Sequence, residues 1–77
     1  MTLAELPYNA VCTIKRLGEV VKDSAYSAVA GIRSGATVRV LARFPEANPR
    51  LLEIEVGSGF HITVPVAFAR EVKLECV

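Results

Sequence analysis

The side chains best suited to chemistry in this 77-residue chain are Cys12, Cys76, His61 and Ser58. Cys12 and Cys76 fall on the inward faces of what read as the first and last strands. A thiol pair there would suit redox work or a soft metal. Free cysteine also packs as a small hydrophobe, and two core thiols is the reading the residues favour. No disulfide is expected: Met1 to Pro7 lacks the basic and apolar regions of a secretory signal, and a reducing cytosol holds thiols open. A metal framework needs more ligands than two Cys and one His at these spacings. His61 has no Asp, Glu or Cys two residues away on its strand face, so it reads as a surface residue. Ser58 lacks the base and orienting acid that activate a nucleophile. It sits between Gly57 and Gly59 as a turn would. That turn precedes a strand rather than a helix, so it is not a phosphate loop. The expectation is no enzyme, no catalytic residue, no cofactor and no metal.

Charge excludes a second class. Nine basic and eight acidic residues leave a net charge of +1, with no basic stripe of the kind nucleic acid requires. The apolar runs are only a few residues long, against ~20 for a spanning helix, so no membrane insertion is expected. The apolar fraction, 52%, is high for a chain that buries only about 60% of its unfolded surface. It marks either a well-filled core or a contiguous patch that meets another protein. Tyr26, Leu41, Leu51 and His61 are the candidate partner-binding residues, Val77 another outward apolar side chain. Weak self-association is a further expectation.

The elements that position these residues follow from period and punctuation. Residues 2–6 form a helical turn with Thr2 as N-cap and Glu5 completing a capping box. Leu3 and Leu6 plug one end of the body, and Pro7 stops the turn. Strand one is 10–17, with Cys12 and Ile14 inward. A short helix over residues 24–30 is capped at Asp23 or Ser24 and closed by Gly31. Gly35 supplies a positive φ in the turn that follows. Strand two is 37–44, with Val38, Val40, Ala42 and Phe44 inward. A loop holding Pro45 and Pro49 leads to strand three, 51–56, with Leu52, Ile54 and Val56 inward. Arg39 and Arg43 on one strand face Glu53 and Glu55 on the other, a charge pairing that fixes register. The hairpin's outer face then makes a poor apolar docking site, and contacts are expected on the helix, the barrel ends or other strands. Strand four is 60–64, with Phe60, Ile62 and Val64 inward. A helical turn anchored by Phe68 precedes strand five, 72–77. The whole predicts one all-β domain over 1–77, a small five-stranded barrel of the SH3 type. It carries one short α-helix after strand one and a helical turn before the last strand.

Ala30-Gly31-Ile32-Arg33-Ser34-Gly35-Ala36-Thr37-Val38-Arg39-Val40-Leu41 resembles a segment of the FeoA family: Leu-Gly-aliphatic-x-Pro-Gly, then alternating aliphatics. Gly59 to Val64 and Ala69 to Glu75 resemble that family's closing strand, helical turn and strand. Leu3-Ala4-Glu5-Leu6 is similar to its N-terminal turn. Ala30 and Ser34 stand where the family usually has Leu and Pro, and Tyr8-Asn9 where it often has Pro-Gly. The resemblance implies an SH3-like barrel in the bacterial cytoplasm, an accessory of ferrous iron transport. It would act by protein–protein contact with the membrane GTPase transporter FeoB. The alternative is a free-standing SH3-like regulatory domain, related to the carboxyl-terminal domain of iron-dependent repressors, that binds a protein or peptide.

Overall fold

The computed structural model describes residues 1–18, 31–57 and 59–76. The predicted helix over 24–30, with Tyr26, lies outside the described residues, as do Ser58 and Val77. Among the described residues the strands are β1 (Cys12–Leu17), β2 (Thr37–Phe44), β3 (Leu51–Val56), β4 (Phe60–Pro65) and β5 (Val72–Glu75). They form one antiparallel sheet in the order β4-β3-β2-β1-β5. A short helix, α1 (Val66–Ala69), joins β4 to β5 and buries Phe68 as expected. β2 and β3 match their predicted ranges. β1 starts two residues later than expected and β5 ends at Glu75.

The N-terminal segment closes the sheet. The Met1 carbonyl accepts the Leu74 N–H at 2.8 Å, and Thr2 bridges Lys73. Farther along, Tyr8 bridges Val40 in parallel and the Asn9 N–H reaches the Val40 carbonyl at 3.3 Å. The same short segment thus touches the edge strand β5 and the flank of β2. Between these points lies a 3-10 turn, Leu3–Glu5, which buries Leu3, with Leu6 buried just beyond it. Glu5 accepts the Thr2 N–H at 2.9 Å and the Thr2 hydroxyl at 3.1 Å, which ties the first turn to its cap.

The core draws on every strand: Ile14 from β1, Val38 and Val40 from β2, Leu52, Ile54 and Val56 from β3, Val64 from β4, and Val72 and Leu74 from β5. Ile32, which follows Gly31 at φ +69°, is fully buried in the same core. Gly35, at φ +94°, donates its N–H to the Ile14 carbonyl at 2.8 Å. Only glycine holds that backbone region without strain.

The expectation of two free thiols is corrected. Cys12 and Cys76 form a disulfide, with Cα atoms 4.7 Å apart. The cause is register. β1 and β5 pair with Thr13 opposite Glu75, so the next row sets Cys12 against Cys76. That Cα separation lies in the range a disulfide spans. Cys12 is buried and Cys76 exposed, so the pair is not wholly in the core.

β2 carries the second correction. It pairs with β3 as Arg39 to Glu55 and Val40 to Ile54, then resumes as Ala42 to Glu53, Arg43 to Leu52 and Phe44 to Leu51. Leu41 is the extra residue of a bulge. Because side chains alternate with period two, one extra residue moves every later side chain to the opposite face. Phe44, expected inside, stands outside at 48% exposure. Arg43, expected outside against Glu53, turns to the face that holds Leu52. Phe60 is a smaller correction: it lies at the open end of β4 and is also exposed, while Ile62 is half-buried.

Candidate functional site

The outer face of the β2–β3–β4 sheet has two unlike ends. At one end Arg39, Glu55 and His61 stand side by side on three adjacent strands. Arg39 Nη2 lies 2.6 Å from Glu55 Oε1, and His61 Nε2 lies 3.5 Å from Glu55 Oε2. Glu55 is the most buried of the three, so its charge is the least screened. The Arg39 pairing was legible in the charge pattern. The partner of His61 was not, because Glu55 lies across a strand boundary rather than two residues away. The turn at 57–59 held the signal: closing it places Glu55 opposite His61.

At the other end the sheet is apolar. Phe44 sits opposite Leu51, and Leu51 opposite Pro65. Phe44 and Leu51 are both largely exposed. Tyr8, also exposed, lines a groove with Phe44, and the Arg43 guanidinium carbon lies 4.7 Å from the Tyr8 ring centroid. Such a cation–π contact contributes about 0.5–1 kcal/mol at an exposed site. Tyr8, Asn9, Leu41, Phe44 and Glu46 line one shallow groove along this end. The hairpin's outer face is therefore charge-paired only at its Arg39 end. At the other end Phe44 and Leu51 make that face apolar.

Of the predicted partner-binding residues, Leu41 is half-buried in that groove, Leu51 is exposed beside Phe44, and His61 sits in the charged row. Tyr26 lies outside the described residues. Of this apolar end, Leu41 and Leu51 are among the sequence-predicted contact residues; Phe44 and Tyr8 are not. Phe44 was hidden by the bulge. Tyr8 was available as a large aromatic directly after a proline.

Among the described residues no three His, Cys, Asp or Glu side chains gather as a metal site would require. No helix among them is long and apolar enough to cross a membrane. What the surface can do chemically is bind: apolar contact at the Phe44 end, charge and hydrogen bonding at the Arg39 end.

No family model matches the chain, and no curated protein matches it in sequence. Solved structures do match. The iron(II) transport protein A of Clostridium thermocellum aligns at 24% identity and TM-score 0.78, over 100% of this chain and 46% of its own. This chain thus spans less than half that protein's length. The FeoA of Stenotrophomonas maltophilia, a prokaryotic SH3 domain protein solved with zinc, aligns at 22% identity and TM-score 0.74, over 97% of this chain and 89% of its own. The Chlorobium tepidum FeoA protein aligns at 20% identity and TM-score 0.78, over 100% and 70%. Five antiparallel strands, the closing N-terminal segment and the helical turn before β5 thus make up an SH3-like fold that this chain shares with FeoA proteins.

Proposed function

We propose that this chain is a cytoplasmic accessory protein of bacterial ferrous iron transport that acts by contact with the membrane GTPase transporter FeoB. The supporting observation is that its fold matches FeoA proteins over 97–100% of this chain. The apolar end of the outer face, Phe44 opposite Leu51 and sharing a groove with Tyr8, is the surface offered to that partner. Exposed aromatic side chains next to an arginine are the composition that interfaces favour. The reading requires no chemistry of the chain itself.

The test is co-purification of detergent-solubilised FeoB with the tagged chain, run without nucleotide and with GDP or a GTP analogue. The expected result is association in at least one nucleotide state, lost in a variant carrying Phe44→Ser and Leu51→Ser. Neither side chain belongs to the buried core, so that variant keeps the core intact. Absence of association in every nucleotide state contradicts the proposal.

A further inference from the structure

A cavity of about 460 Å³ opens to solvent beside the N-terminal turn. Ala4, Pro49, Leu52 and Val66 supply its apolar surface. Its charged groups are Arg43, Arg70 and Glu5, with Thr2 beside them. Glu5 is already engaged, since one carboxylate oxygen accepts both the Thr2 N–H and the Thr2 hydroxyl. Those bonds also hold its carboxyl below the ordinary carboxylate range, backbone bond first.

The two arginines differ from Arg39 in one respect. Arg39 has a carboxylate at 2.6 Å. Among the described residues, neither Arg43 nor Arg70 forms an ion pair. Arg43 Nη2 donates to two neutral acceptors, the Ala4 and Leu6 carbonyls, and the side chain is half-buried. A guanidinium stays charged at any ordinary pH and carries five N–H donors. The two carbonyls fix the plane of this one, and its remaining donors have no anion. The cavity therefore holds a surplus of positive charge next to an apolar wall. Its volume falls in the range of about 300–1,000 Å³ typical of small-ligand sites.

We propose that this cavity binds the free C-terminal carboxylate of a polypeptide ending in an aliphatic residue. The carboxylate lies between Arg43 and Arg70, where a planar guanidinium accommodates it through paired N–H bonds. The last side chain rests on Leu52 and Val66. Because the cavity is open, the rest of the polypeptide runs out into solvent. A simple anion would satisfy the arginines and leave the apolar wall wet; a neutral apolar ligand would leave the charge unmatched. A chain end supplies both on neighbouring atoms, a recurrent mode of peptide capture.

The inference does not depend on the transporter reading, and its experiment uses this chain alone, so the two can fail separately. The isotope-labelled protein is titrated with an acetylated hexapeptide ending in leucine, as the free acid and as the C-terminal amide, and followed by NMR. The free acid shifts the resonances of Leu52, Val66 and the Arg43 and Arg70 side chains. The amide binds roughly tenfold or more weakly, the loss expected for a charge-assisted bond. Arg70 is exposed, so Arg70→Ala keeps the fold and weakens the free acid by a similar factor. Arg43→Lys keeps the charge, removes the planar fork, and weakens binding too. Equal affinity for acid and amide overturns the proposal, as does an unchanged affinity in Arg70→Ala. So does the absence of shifts at millimolar peptide. N-acetyl-leucine binding as tightly as the hexapeptide overturns the polypeptide assignment.

Discussion

Arg39 and Arg43 lie on the same strand four residues apart, and a regular strand would point them the same way. They do not behave alike. Arg39 stays on the outer face and meets Glu55. Arg43 passes to the opposite face, reaches the Ala4 and Leu6 carbonyls, and lies over Tyr8. The difference comes from one residue, Leu41, which the partner strand does not match. The two ends of β2 are also held by different neighbours. The Arg39 end pairs with β1 at Cys12 and Thr13, and β1 is bonded to the end of the chain through Cys76. The Arg43 end is held by the N-terminal segment. One strand thus links a covalently stapled half of the barrel to a half fastened by an arginine. The lesson is that a bulge can convert a surface charge into an internal fastener, and in the same step bring an aromatic side chain to the surface.

Opening the staple should separate the two ends most strongly. The disulfide joins residues 64 apart, and the chain-entropy account gives about 4 kcal/mol for a loop of that length. Denaturant unfolding of the oxidised and reduced protein should differ by close to that amount. In the reduced protein, loss of amide protection should begin at Cys12 and Val38 rather than at Arg43. Thiol labelling of protein from unperturbed cells would show which form is kept there, since a reducing compartment favours the open pair.

Breaking the other fastener should cost less. Arg43→Ala removes charge-assisted bonds to two carbonyls, one at 3.5 Å and one shorter. A bond of this kind contributes about 1.5–3 kcal/mol, so a loss of about 2 kcal/mol is expected by chemical denaturation. The hydrogen-bonded amides of Glu5, Leu6 and Asn9 should lose protection first. Arg43→Lys should recover part of the stability and little of the order.

Arg39→Ala should matter least among the arginines. Its pair with Glu55 is partly exposed, and such pairs contribute about 0.2–1 kcal/mol. Molar salt should erase most of the difference between wild type and this variant, and leave the Arg43→Ala difference largely in place. That contrast in salt response sharpens the distinction between the two ends.

The smallest effect concerns acid. Thr2 holds the Glu5 carboxyl below its ordinary value of 4.5. A carboxylate stabilised in the folded state contributes fully above its unfolded pKa and loses that contribution as pH falls through the folded value. The N-terminal turn should therefore fray on acidification below pH 4.5, read as faster amide exchange at Leu3 to Leu6. Glu5→Gln should show the weaker turn at neutral pH and little further change in acid.

The sequence made much of this legible. β2 and β3 follow from alternation between Gly35, Pro45, Pro49 and Gly57. The capping box at Thr2 and Glu5 follows from spacing alone, and the buried plug follows from Leu3 and Leu6 on one face. The Arg39–Glu55 pairing was legible in the charge pattern, but the register beyond Val40 was not. Leu41 has no local mark of a bulge, because Val-Leu-Ala reads as regular strand. Once it is counted as extra, Arg43, Phe44 and the apolar end of the surface all follow. The partner of His61 lies across a strand boundary, and the bond between Cys12 and Cys76 follows from the register of β1 and β5, on which the redox compartment has no bearing.

The most direct test is the register of β2 against β3 at residues 41–44, read from cross-strand backbone and side-chain NOEs. The structure predicts contacts of Ala42 with Glu53, Arg43 with Leu52, and the Arg43 side chain with Leu6 and Tyr8. An unbroken ladder, with Leu41 opposite Glu53, Ala42 opposite Leu52 and Arg43 opposite Leu51, would contradict it. In that case Phe44 would return to the interior, and neither the apolar surface nor the arginine-lined cavity would stand.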